Sequence, residues 1–247
     1  MKLVLKISIT FLTLIFLNAC SKNDHLESKP ISTSINKILP LGASRVEGAR
    51  PLYESYRYEL WSKLMENNWA FDFIGTQTDD ANYSSVYSQE FDNDHEGRGG
   101  WTSGQILDEI NDWLIETGAP DIVLFSSPGG NDALQALPYQ DAVNNINAII
   151  DVLQESNPNV TIVIEQMAPG LSEIMSEELT SFFNQMQQEV LNIATNHSTT
   201  SSHVITVDMF SGFNDSMLAD DVHYNEIGAK FIADRYYNIL EEVLQTQ

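Results

Sequence analysis

The sequence predicts a three-layer α/β/α sandwich built on a mainly parallel, five-stranded sheet. Three observations predict it. Short apolar runs alternate with longer segments of helical periodicity, the pattern of βα units that build a parallel sheet. Right-handed crossovers between such strands put helices on both faces. Residues able to do chemistry follow the strand-like runs directly, where open parallel sheets hold their sites.

The elements are read in order. Lys37-Ile38-Leu39-Pro40-Leu41 is a short strand ending at Gly42. Tyr53 to Asn68 carries Tyr56, Leu60 and Leu64 at helical spacing with few breakers. Phe71 to Ile74 is a second strand, and residues 75–100 form a long loop rich in Asp, Asn, Ser and Gly. Ser103 to Thr117 is a helix with Ile106, Ile110 and Leu114 on one face. Asp121 to Phe125 is a buried strand running into Ser126-Ser127-Pro128-Gly129-Gly130, a turn by composition. A helix from Asp141 to Asn157, a strand from Val160 to Ile164, a long helix from Ser172 to Asn196 and a strand from Val204 to Val207 follow. Asn225 to Leu244 closes the chain as a helix.

The N-terminus has Lys2 and Lys6 followed by an apolar run from Ile7 to Leu17. That run is shorter than the roughly 20 apolar residues of a spanning helix and reads as a secretory signal. Leu17-Asn18-Ala19-Cys20 resembles a bacterial lipobox, with Cys20, the single cysteine, as the expected site of lipid attachment. The expected organisation is a signal peptide over 1–19, a polar tether over 20–34 and one domain over 35–247, exported to the cell envelope and held to a membrane by the lipid alone. Without further cysteines the fold rests on its core. The formal charge is −23, and loss of Lys2 and Lys6 with the signal takes it near −25. Such a charge argues against nucleic acid and anionic membrane surfaces as partners.

A serine hydroxyl attacks an ester only when a base takes its proton and a third group orients that base. Ser44 follows the first strand by three residues, in Gly42-Ala43-Ser44. Of the five histidines, His223 stands in Asp220-Asp221-Val222-His223, a spacing that lets one turn present carboxylate and imidazole together. Gly129-Gly130-Asn131-Asp132 places a side-chain amide after another strand, as an oxyanion requires.

These blocks resemble the SGNH hydrolases, which carry Ser, Gly, Asn and His in that order. Here they are Ser44, Gly100 in Gly97-Arg98-Gly99-Gly100-Trp101, Asn131 and His223. Further wording is similar to carbohydrate esterase family 3, the acetyl-xylan-esterase-like branch. It includes Ser55-Tyr56-Arg57-Tyr58-Glu59-Leu60, Asp72-Phe73-Ile74-Gly75-Thr76-Gln77, Asp94-His95-Glu96-Gly97 and Asn225-Glu226-Ile227-Gly228. The likeness spans residues 36–244. It implies the flavodoxin-like SGNH fold and a serine esterase acting on O-acyl, foremost O-acetyl, esters of carbohydrate without a cofactor. Ser44 would be the nucleophile, His223 the base and Asp220 its orienting acid. The N–H groups of Ser44 and Gly100 with the Asn131 amide would form the oxyanion hole. Other readings are an esterase on lipid or small acyl esters and a non-catalytic binding lipoprotein; a monomer is expected.

The chain departs from the family at Ala43, where an aspartate usually orders the nucleophile loop. Arg45 and Glu47 are expected to brace that loop instead. Arg98 is read as a loop charge paired with local acids or touching substrate. His95 is read as ordering its loop through nearby acids, and Trp101 and Tyr224 as packing residues or sugar-stacking rings. No metal motif is evident. The acids at Asp79-Asp80 and Asp92 to Glu96 are read as a solvated face rather than a calcium site.

Overall fold

Alternation with a period of two places the chain in three layers. In β1 (Lys37–Gly42), Leu39 and Leu41 face one side of the sheet and Ile38 the other. After α1 (Ser44–Glu47), α2 (Arg57–Glu66), β2 (Asp72–Phe73), β3 (Glu96–Gly97) and α3 (Ser103–Thr117) comes β4 (Ile122–Phe125), which divides its apolar side chains in the same way. The chain continues through α4 (Gly130–Leu134), α5 (Tyr139–Ser156), β5 (Thr161–Gln166), α6 (Glu177–His197), β6 (His203–Asp208) and α7 (Glu226–Val243). One core lies between the sheet and α3, α5 and α6; the second lies between the sheet and α2 and α7. Each fully buried Leu, Ile or Phe in these layers contributes about 1.5–3 kcal/mol.

A computed structural model describes residues 29–246. The expected signal peptide, Cys20 and the tether up to residue 28 lie outside the described residues. Residues 29–34 carry neither helix nor strand, and Lys29 pairs with Asp94. Among the described residues no helix is long and apolar enough to cross a membrane.

The strand pairs are parallel, in the order β2-β1-β4-β5-β6, with β3 also on β1. The sheet therefore has six strands rather than the expected five. β2 pairs with the start of β1 (Lys37 with Asp72) and β3 with its end (Leu41 with Glu96), so both occupy one edge, interrupted by the long loop. A two-residue strand has no periodicity of its own, and β3 exists only because β1 offers it a free edge. Gly97 permits the crossing: a β-carbon there would lie 2.4 Å from the Glu47 nitrogen.

Most helices match expectation within a few residues. The expected helix over 172–196 is instead a 3-10 turn over Ser172–Ile174 and then α6, whose start is capped by Ser176 accepting from the Leu179 N–H. Thr102 and Gln105 form a reciprocal capping box that fixes the start of α3. Asn225 caps α7 by accepting from the N–H groups of Ile227 and Gly228, two residues after His223.

Candidate active site

The carboxyl ends of β1, β4, β5 and β6 converge on one edge, and the loops that leave them carry the site. After β1 the chain turns at Gly42 and Ala43, and Ser44 is the first residue of α1. Gly42 allows this turn to press on the next strand: a β-carbon would lie 2.9 Å from the Ser126 carbonyl oxygen. After β4, Ser127 and Gly129 take left-handed conformations and deliver Asn131 on the first turn of α4. Asp132 is buried beside it, accepting from the Ser103 N–H at 2.9 Å and hydroxyl at 2.6 Å, which ties α4 to α3.

The loop after β6 folds on Asp220. Its Oδ1 accepts from the N–H groups of Val222 (2.9 Å) and His223 (2.8 Å), so the carboxylate and the imidazole lie on one turn. His223 Nδ1 stands 2.8 Å from Asp220 Oδ2, and His223 Nε2 stands 2.9 Å from Ser44 Oγ. Partial desolvation raises the Asp220 pKa. The N–H groups of Val222 and His223 and the His223 ring outweigh it and hold the carboxyl below its ordinary value. An ionised carboxylate only accepts, so Nδ1 carries the ring proton and Nε2 presents its lone pair to the Ser44 hydroxyl. The geometry can therefore take a proton from Ser44.

Tyr53 stacks on His223 with ring centroids 3.8 Å apart and planes 11° apart. No motif in the sequence marks it. It reaches the ring because the Glu54 N–H donates to the Tyr224 carbonyl at 2.8 Å, joining two distant segments.

Arg45 fulfils the expected bracing. Buried beside Ser44, it donates to the carbonyls of Val222 (2.8 Å), Ala168 (2.7 Å) and Pro169 (3.0 Å), and lies over the Tyr224 ring. It thus links the Ser44 turn to the loops after β5 and β6. Glu47 contributes through its main chain, its carbonyl accepting from Arg57 at 2.8 Å. Below this turn sits Glu165, fully buried, accepting from the Ser127 N–H and the Tyr236 hydroxyl, each at 2.7 Å. Burial pushes its carboxyl up.

The Asn131 amide donates to the Trp101 carbonyl at 2.7 Å, which fixes its plane. Ser44 and Asn131 both line a cavity of about 80 Å³, with Trp101 at its side. Gly100 is exposed in the adjoining turn, which is closed by the Trp101 N–H donating to the Arg98 carbonyl at 3.1 Å.

Other expectations change. Tyr224 is buried, so it packs and faces no ligand. Arg98 does pair with a local acid, but it is largely buried rather than an exposed loop charge. It pairs with Glu96 at 3.0 Å and lies over the rings of Trp101 and Trp113. His95 does not use nearby acids: its Nδ1 accepts from the Gly97 N–H at 2.9 Å, and burial beside Arg57 and Arg98 lowers its pKa to about 2. Nor are the loop acids a solvated face. Asp94 and Glu96 are buried, Asp79 pairs with Arg57 at 2.7 Å, and Asp92 accepts from the Phe73 N–H at 2.7 Å. His197 lies at the end of α6, bonded to Asn147.

A model of the GDSL-like Lipase/Acylhydrolase family matches residues 58–231, a stretch that holds Gly100, Asn131, Asp220 and His223 and begins after Ser44. No curated protein matches the chain. Among solved structures, a carbohydrate esterase family 3 protein from Talaromyces cellulolyticus is 25% identical with a TM-score of 0.73, covering 85% of this chain and 98% of that one. A Clostridium thermocellum family 3 carbohydrate esterase is 28% identical with a TM-score of 0.67, over 85% of this chain and 100% of that one. A mutant acetyl esterase solved with acetate, 24% identical with a TM-score of 0.73, shares the fold over 85% of this chain and 98% of its own. With most of its domain matched by the family model and its sheet and helices shared with these esterases, the chain belongs to the GDSL-like lipase/acylhydrolase family and is a carboxylic ester hydrolase.

Proposed function

We propose that this protein hydrolyses O-acyl esters of carbohydrate through a triad of Ser44, His223 and Asp220. The observation that carries the reading is the relay of 2.9 Å from Ser44 Oγ to His223 Nε2 and 2.8 Å from His223 Nδ1 to Asp220. His223 takes the hydroxyl proton as Ser44 Oγ bonds to the ester carbon. The tetrahedral oxyanion is held by the N–H groups of Ser44 and Gly100 and the Asn131 amide. The carbon–oxygen bond to the alcohol breaks, and His223 returns the proton to the departing alcohol. Water then attacks the acyl-serine, with His223 again as base, and frees the acid. Asp220 keeps the imidazole in one tautomer and stabilises its charged form.

Carbohydrate on the alcohol side is supported by the two family 3 carbohydrate esterases and by Tyr53, an aromatic ring beside the proton donor. The assembled relay speaks against a binding-only scaffold, which has no use for it. The same proposal includes export and a lipid at Cys20.

The test compares wild type with Ser44→Ala on acetylated xylo-oligosaccharides, measuring released acid. The expected loss is about 10³-fold or more, leaving only what binding and the oxyanion donors provide. Equal rates for the two proteins would remove Ser44 as nucleophile.

A further inference from the structure

The cavity that opens beside Ser44 extends beyond the proton relay, and its walls are mainly apolar, with Arg45, Ser103, Ser127 and Asp132 among the polar residues that line it. Trp101 and Ile106 form one side. Met175, Leu179, Phe182 and Phe183, from the end of the 3-10 turn and the first turns of α6, form the other. Its volume of about 80 Å³ is several times the roughly 10–15 Å³ that one water molecule needs. An acetyl group places a single methyl beyond its carbonyl carbon and leaves most of this space empty.

Position decides which half of the ester enters. The departing alcohol takes its proton from His223 Nε2, so it must lie at that edge of the ring, one face of which Tyr53 covers. Neither His223 nor Tyr53 lines the cavity, which runs from Ser44 and Asn131 into the gap between α4 and the start of α6. The cavity opens to solvent, but most of its lining is apolar, which suits an alkyl chain better than the hydroxyls of a sugar ring. The remaining substituent of the ester carbon is the acyl tail.

We propose that this cavity is an acyl-chain pocket, and that the enzyme prefers aliphatic acyl groups of about four to six carbons to acetyl. The proposal rests on the assignment of Ser44 as nucleophile. It revises the acyl group implied by family resemblance and keeps the reaction. Met175 and Leu179 line the pocket and are half-buried, so a larger side chain at either position would narrow it.

The test measures kcat/KM on p-nitrophenyl esters from two to ten carbons, a common leaving group that isolates the acyl side. Each methylene entering the pocket should raise kcat/KM about fourfold, so butyrate exceeds acetate by roughly 15-fold. The profile should peak at about four to six carbons and then fall as the pocket fills. Leu179→Trp and Met175→Trp, each a change at a half-buried lining position, should bring the butyrate-to-acetate ratio to about one or below. Ser44→Ala run alongside separates the two ideas. If it hydrolyses these esters as fast as wild type, the nucleophile assignment fails and the pocket proposal falls with it. If hydrolysis depends on Ser44 but acetate is the best wild-type substrate, or both tryptophan variants keep the wild-type ratio, the pocket proposal alone is overturned.

Discussion

Arg45 does at this site what its neighbour at 43 cannot. An alanine side chain has no acceptor with which to order the nucleophile turn, and the guanidinium beside Ser44 supplies three carbonyl contacts in its place. One of them ends on Val222, adjacent to His223, so a single side chain sets the separation of hydroxyl and imidazole. Arg45→Met should lower kcat about 100-fold with little change in KM, because a misplacement near 1 Å costs about that much. Arg45→Lys should recover part of the loss, since an ammonium can keep one of the carbonyls. Steady-state kinetics on p-nitrophenyl butyrate check both; a rise in KM with kcat intact would place Arg45 in substrate binding instead. At this scale the sequence was legible where chemistry restricts the residue type. Ser44, Asn131, Asp220 and His223 stand in short blocks after strands, and the structure brings Ser44, Asp220 and His223 into one relay. Tyr53 and Glu165 were not legible. A ring stacked on an imidazole and a carboxylate buried under a turn are defined by partners on distant segments, Tyr236 lying 71 residues from Glu165 and Ser127 38, and neither leaves a local pattern.

The loop from β2 to β3 departs most from its sequence reading, and the reason is physical. Its acids are common in solvated loops, yet Arg57, buried and bonded to the Val46, Glu47 and Asn93 carbonyls and to Asp79, folds the segment against α2. Two groups caught inside respond to pH in opposite senses. Burial, aided by Asp94 and Asp72 and opposed by the Phe73 N–H, raises the Asp92 carboxyl to about 7, so the native state holds a proton there that the unfolded chain has lost above about pH 4. Stability from this group therefore falls as pH rises from about 4 to 7. His95 is held neutral down to about pH 2, while the unfolded chain binds a proton below about 6.5. Stability from His95 therefore falls as pH drops below that value. Between about pH 4 and 6.5 the two slopes cancel. Asp92→Asn keeps an oxygen for the Phe73 N–H and removes the titration. It should stabilise the protein by about 1–3 kcal/mol at pH 8 and expose the histidine limb, a loss approaching 1.4 kcal/mol per unit below pH 6.5. Urea unfolding at pH 5, 6.5 and 8 measures it; a variant whose stability stays level from 6.5 to 5 would show that His95 does not titrate as described. Strands of four to six residues were readable as short apolar runs, whereas β3 and the break before α6 depend on a free sheet edge and on one capping serine.

Across the whole molecule, the strand order without β3 is that of a flavodoxin-like sheet, and its reactive loops leave one edge. The parallel sheet and its reactive edge followed from reading the strands and what comes after each, whereas the flavodoxin-like form was implied by the family resemblance. Charge and tether act at the same scale. The chain carries −23, near −25 without its first nineteen residues, and such a protein is repelled by anionic lipid. Any hold on the envelope must then come from the proposed acyl chains at Cys20, and stable anchoring takes more than one chain. From Cys20 to Lys29, which pairs with Asp94 on the domain, the chain reaches at most about 30 Å. The catalytic domain would therefore work close to the membrane surface, against its own charge. Cys20→Ala removes the proposed attachment point and leaves every residue of the proposed triad unchanged. In cells fed an alkyne-bearing fatty acid, the wild-type protein should be labelled and sediment with membranes. The variant should be unlabelled and, with no electrostatic attraction left to retain it, should leave the membrane fraction at low salt while its detergent-free extract hydrolyses p-nitrophenyl butyrate at the wild-type rate per molecule. An unlabelled wild-type protein in the soluble fraction would end the anchor proposal and leave the esterase free of the membrane.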